Sequence, residues 1–198
     1  MDRQAGLNLV DEFVKDRGLR RHMLAVEAAM RLYAAKLGGE PETWGLAGLV
    51  HDFDWEVHPD LAKHPRDGGP ILSERGVPAE VVQAVLAHNT EHTGVERQSP
   101  MDFALLACDE ITGLIVATAL VRPTKDIREV KVKSVKDKWK QKAFAAGVDR
   151  ALAEQAAAEF SAACFGGTLD LWTHVGNVLE AMQGIAAELN LAGVPPAA

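Results

Sequence analysis

Cysteine and long apolar runs are what this chain has least of. Its two cysteines, Cys108 and Cys164, sit in 198 residues with no paired spacing. That excludes a disulfide scaffold and points to a reducing compartment. The longest uninterrupted apolar stretch, about Leu114 to Val121, falls well short of the ~20 residues a membrane span needs. The start, Met1-Asp2-Arg3-Gln4, lacks a basic segment followed by an apolar one, so no secretory leader is expected. Internal repeats, low-complexity tracts and a convincing linker are also missing. With 47% hydrophobic and 25% charged residues, the composition is that of an ordinary globular chain. The expectation is one domain over residues 1–198, in the cytoplasm and off the membrane.

Positive charge is scarce too, except in one place. The net charge is −7, yet residues 122–150 hold ten Lys/Arg against four Asp/Glu. The remainder is strongly acidic, which disfavours a nucleic-acid polymer as partner. The basic segment could attract a small anion such as a phosphate, although most of its lysines read as a solvated helix face.

What is present is helical patterning nearly throughout, which predicts an all-α, single-domain helical bundle. Leu9, Phe13 and Val14 open an amphipathic turn that Gly18 is expected to end. Leu24, Ala28, Leu32 and Leu37 recur at helical spacing up to Gly38-Gly39, with His22 in the first turn. Pro41-Glu42-Thr43 begins a third helix that runs through Leu46, Leu49 and Val50 into His51-Asp52. Residues 54–69, with Pro59, Pro65, Gly68 and Gly69, read as loop or short turns. Two short helices follow, one at Ile71-Leu72 and one from Pro78 to His88, and 89–98 is polar and turn-rich. Ser99-Pro100 starts a long helix with Phe103, Leu106, Ile111, Leu114 and Ile115 on its buried face. The alternation of Val130, Val132 and Val135 is briefly strand-like, and the lysine-rich stretch with Trp139 and Phe144 reads as helix. C-terminal helices over about 134–191 include two near 149–165 and 168–191. Val194-Pro195-Pro196 is expected to be a frayed tail.

The chemistry gathers around the pair His51-Asp52. A neutral nitrogen beside an anionic oxygen at a helix end suits a hydrolytic metal centre, where a carboxylate can bridge two ions. Alone the dipeptide is weak, but His22, His64, His88 and Asp109 all lie in helical or helix-end contexts. Asp109 is mid-helix among Leu105, Leu106, Cys108 and Ile111, and a buried carboxylate demands a partner. That partner could equally be a lysine of the basic segment. His22, His51, Asp52 and Asp109 could enclose one ion from separate helices. His64 and His88 would complete a second position, with Asp52 shared.

These residues resemble the His…His-Asp…Asp signature of the HD-domain metal-dependent phosphohydrolase superfamily. The resemblance spans about residues 20–121, and His64, Gly68-Gly69 and His88 are similar to the extra-histidine pattern of its binuclear members. It implies an HD-type helical fold and one or two divalent transition-metal ions (Mn, Fe, Co, Ni or Zn). It also implies hydrolysis of a phosphoester or phosphoanhydride in a small molecule, plausibly a nucleotide, by attack of metal-bound hydroxide. A di-iron oxygenase built on the same six ligands and a non-catalytic, metal-stabilised sensor module are the alternatives.

Acid–base candidates beside Asp52 are Asp54 and Glu56. Some nucleotidase-like members carry a glutamate three positions after the motif aspartate, where this chain has Trp55. Either acid could instead orient a histidine. Lys133, Lys136 and His58 are candidate substrate contacts. His92 is placed around the site rather than in it, Cys108 reads as a core thiol, and His174 as structural.

Overall fold

Six of the ten helices seen among the described residues start on a side chain that accepts their first free amides. The caps are Asp2, Asp16, Glu40, Ser99, Asp149 and Asp170. Each such cap is worth about 1 kcal/mol. A computed structural model describes residues 1–193; the Val194-Pro195-Pro196 tail lies outside the described residues. The order is α1 (Arg3–Phe13), α2 (Arg17–Leu37), α3 (Pro41–Val50), α4 (Gly68–Glu74), α5 (Ala79–Ala87), α6 (Thr90–Thr93), α7 (Pro100–Leu120), α8 (Val132–Trp139), α9 (Arg150–Phe165) and α10 (Leu171–Gly184). The fold is all-α, as the patterning predicts.

Two helices form the centre. In α3 every residue from Trp44 to Val50 is buried, so it has no polar face and packs on α1, α2, α5 and α7. Its contact with α2 is backbone to backbone. A Cβ added at Gly48 would stand 2.8 Å from the backbone of Val26 and Glu27, so glycine sets how closely the two helices approach. Helix α7 touches α2, α5, α8, α9 and α10. It is long and apolar enough to cross a membrane by composition alone, but most of its residues are buried inside the bundle. A helix apolar on nearly all sides is what a bundle centre requires.

Several local expectations are corrected. Gly18 does not end α1: that helix stops at Phe13, and Gly18 lies inside α2, which Asp16 caps through the Leu19 amide. His22 is therefore in the second turn of α2, one turn deeper into the bundle. The valine alternation at 130–135 forms no strand, because Ile127–Glu129 makes a 3-10 turn and Val132 already starts α8. Val130 and Val135 are nonetheless both buried, the first just before the helix and the second within it. Phe144 lies in turns beyond α8, and the last helix ends at Gly184.

Candidate metal centre

Four elements aim histidines and aspartates at one region. His22 projects from α2, His51 and Asp52 leave the C-terminal end of α3, His88 caps α5, and Asp109 sits in the middle of α7. His64 comes from the turns between α3 and α4. His51, His64 and His88 are buried, while His22, Asp52 and Asp109 are partly exposed. These six side chains are the ones the sequence singled out as ligand candidates, and the structure brings all of them together.

The four imidazoles share one orientation. Each Nδ1 faces an acceptor away from the centre: Thr112 Oγ1 for His22 (2.9 Å), the Gly48 carbonyl for His51 (2.8 Å), Asp54 Oδ1 for His64 (2.7 Å) and the Val85 carbonyl for His88. Thr112 gives its own hydroxyl proton to the Asp109 carbonyl (3.1 Å), which leaves its oxygen free to accept from His22. With the Nδ1 proton held outward, every Nε2 presents a lone pair to the centre.

At the centre, His22 Nε2 lies 2.9 Å from Asp109 Oδ1, 3.2 Å from His51 Nε2 and 3.5 Å from Asp52 Oδ2. His64 Nε2 lies 3.1 Å from both Asp52 Oδ1 and His88 Nε2. Ligands about 2.1 Å from a divalent ion are separated by roughly 3.0 to 3.4 Å in octahedral or tetrahedral shells. The donor spacing fits that. Two groups meet the geometry of an ion site: His22, His51 and Asp52, and Asp52, His64 and His88. Asp52 belongs to both, with Oδ2 towards His22 and Oδ1 towards His64, and Asp109 flanks the first group. A nitrogen-rich set with one shared carboxylate suits a pair of divalent transition-metal ions.

Electrostatics agree. In the protein alone, protons supply the positive charge that two enclosed carboxylates demand. Burial works against a charged His22, but Asp109 and Asp52 outweigh it and push its pKa up to about 10. His64 is raised to about 9, burial again being overcome by Asp52 and Asp54. His88 falls to about 4, through burial and then the neighbouring His64 and His51. Burial would raise Asp52 and Asp109, yet the surrounding histidines hold both well below the usual carboxylate range.

A cavity of about 380 Å³ opens onto the cluster. Asp52, His64, His88 and Asp109 line it together with Trp55, Leu61, Leu106, Leu152, Glu91, Glu110 and His92. The candidates chosen outside the six stand elsewhere. Asp54 is fully buried behind His64 and does not line the cavity. Glu56 accepts the backbone amides of Lys15 (2.8 Å) and Asp16 (2.7 Å), tying down the turn between α1 and α2. Lys133 pairs with Asp137 at 2.9 Å on an exposed face of α8. Lys136 lies over the ring of Trp172. Neither lysine, nor His58, lines the cavity.

Several residues at the site went unremarked in the sequence, among them Glu91, Leu61 and Leu152 on the cavity wall, Thr112 and Glu110. Thr112, three positions after Asp109, shares its helix face, which i,i+3 spacing could have shown. Glu110 is an acid beside an acid in an otherwise apolar helix. Its pKa is pushed up to about 8 by burial, then by Asp109 and Asp149. Cations entering the cluster would lower it again.

The HD domain family matches residues 19–119, a span that includes all six clustered side chains. No curated protein and no solved structure matches the chain.

Proposed function

Because the chain belongs to the HD-domain family, a superfamily of metal-dependent phosphohydrolases, we propose that it hydrolyses a phosphoester or phosphoanhydride bond in a small molecule. The carrying observation is the carboxylate of Asp52, shared between two nitrogen-rich groups at the floor of a substrate-sized cavity. His22, His51, Asp52 and Asp109 would hold one ion, and His64 and His88, with Asp52 again, the other. Divalent ions held there would acidify a water and neutralise charge on the phosphoryl group.

The protein's own residues supply the remainder. Outward hydrogen bonds fix the four imidazoles before any ligand arrives, so little reorganisation is needed on binding. Trp55 packs edge-on against His64, with ring centres 5.1 Å apart, and Leu61, Leu106 and Leu152 keep the cavity wall apolar. The proton for the leaving oxygen comes best from that wall. His92 lines it, and its Nδ1 is held by Asn89 Oδ1 at 3.0 Å. Protonation therefore places a second proton on Nε2, which can pass to the departing oxygen. Asp54 acts through His64, and Glu56 through the α1–α2 turn.

The test is anaerobic and aerobic assay of protein reconstituted separately with Mn, Fe, Co, Ni and Zn against a panel of phosphate esters and anhydrides. Phosphate release in the absence of oxygen, abolished in His51→Ala and Asp52→Ala, supports hydrolysis. Oxygen consumption with iron and no phosphate release from any ester overturns it in favour of oxygenase chemistry. Metal-dependent stability without turnover of any kind overturns it in favour of a sensor.

A further inference from the structure

The cavity is short of positive charge in a way that a nucleotide-hydrolysing site is not expected to be. No lysine or arginine lines it. Beyond the ligand carboxylates it presents two more acids, Glu91 and Glu110. Neither takes part in a hydrogen bond or ion pair through its side chain among the described residues. The ten basic residues of the 122–150 segment stay outside: Arg122 pairs with Glu129, Arg128 with Asp126, Lys133 with Asp137, and Arg150 binds the carbonyls of Trp139 and Phe144. The other wall is Trp55, Leu61, Leu106 and Leu152.

Charge arithmetic separates substrate classes. Two divalent ions carry +4, and Asp52 and Asp109 cancel half of that, leaving enough for one phosphoryl group. A polyphosphate reaching past the metals would meet Glu91 and Glu110 with no cation to offset its further charges, and like charges in a partly desolvated cleft repel. An organic group that is short, apolar and cationic meets the opposite situation. Its methylenes pack on the leucines, and its ammonium finds the carboxylates of Glu91 and Glu110.

Resting on the hydrolase reading above, we infer that the substrate is a small phosphomonoester whose organic part is a short alkyl chain ending in an ammonium group, recognised by Glu110 with Glu91. A nucleoside di- or triphosphate is the class this site disfavours.

The experiment compares 3-aminopropyl phosphate with butyl phosphate, which differ by an ammonium in place of a methyl group, on metal-reconstituted wild-type protein and on Glu110→Gln and Glu91→Gln. In parallel, calorimetry measures binding of the corresponding phosphonates, 3-aminopropylphosphonate and butylphosphonate, which cannot be hydrolysed. The amine is expected to win by about tenfold in kcat/KM and in affinity, the scale of one charge-assisted contact. The ratio should fall towards one in Glu110→Gln. If both esters are cleaved equally, or a nucleoside triphosphate is cleaved best, the inference falls while the hydrolase reading stands. If no ester is cleaved but the aminophosphonate still binds preferentially through Glu110, the recognition stands and the hydrolase reading falls. Equal binding of the two phosphonates overturns the recognition in every case.

Discussion

Asp54 Oδ1 lies 2.7 Å from His64 Nδ1, while the other Asp54 oxygen is buried without any hydrogen-bond partner. The carboxylate is wedged against Gly68, where any larger residue would collide with it. A buried carboxylate costs free energy unless it is used, and its use here is to fix the ring of His64. Asp54→Ala should therefore weaken the ion held by His64 and His88 by about 10–100-fold, the usual cost of losing such a support, while the ion at His22 and His51 is retained. Chelator competition on the reconstituted variant measures both affinities. Equal weakening of the two would show that Asp54 does not act through His64.

The shared carboxylate sets a hierarchy of losses. Asp52 belongs to both donor groups, His88 to one. Elemental analysis after desalting should find neither ion retained in Asp52→Ala, and one ion retained in His88→Ala. If Asp52→Ala still holds a full complement, the bridging arrangement is wrong.

Four of the six candidate ligands were legible in the sequence because they sit where a helix ends or an apolar face breaks: His51-Asp52 closes α3, His88 closes α5, and Asp109 interrupts the apolar α7. The supporting residues were not. Glu56 is two residues beyond Asp54 in the chain, yet it folds away to receive amides 40 and 41 positions earlier, and no local pattern announces a partner that distant. Gly18 looked like a helix end because glycine costs about 1 kcal/mol inside a helix. The Asp16 cap contributes a similar amount in the other direction, and the cap decided the boundary. Lys133 and Lys136 looked like phosphate contacts because they are basic; Asp137 one turn on and Trp172 on α10 claim them instead.

Gly48 connects packing to the site. An added methyl would stand 2.8–2.9 Å from backbone atoms of Val26 and Glu27, and backbone cannot rotate aside as a side chain can. Gly48→Ala should push α3 off α2 at an overpacking cost of about 1–3 kcal/mol. In a chain of this size each kcal/mol lowers Tm by about 2–4 °C. Because His22 rides on α2 and His51 on the end of α3, the same displacement should reduce retention of their ion. Calorimetric melting and metal content, read on one preparation, test both. A variant that melts normally would show that the helices have room to spare.

His174, together with His88, supplies the acid side of the pH dependence. His174 is buried, hydrogen-bonded by Nδ1 to Tyr33 Oη at 2.6 Å and by Nε2 to the Ala107 carbonyl at 2.8 Å. Burial lowers its pKa to about 4, with the carbonyl of Ala107 acting weakly the other way. The unfolded chain binds this proton at the ordinary value near 6.5 and the folded chain only near 4, so the unfolded state holds more protons between those values. The contribution of His174 is then fully present above pH 6.5 and is lost as pH falls towards 4, about 3 kcal/mol at the limit. Asp52 and Asp109, held low, add their own loss only at more acidic pH. Urea unfolding of metal-free protein at pH 7 and pH 4.5 should show the decline. His174→Gln should start less stable at neutral pH, because it loses the bonds to Tyr33 and Ala107, but should lack about half of the slope between pH 6.5 and 4.5, His88 supplying the other half. An unchanged slope in that variant would move the acid sensitivity to another group.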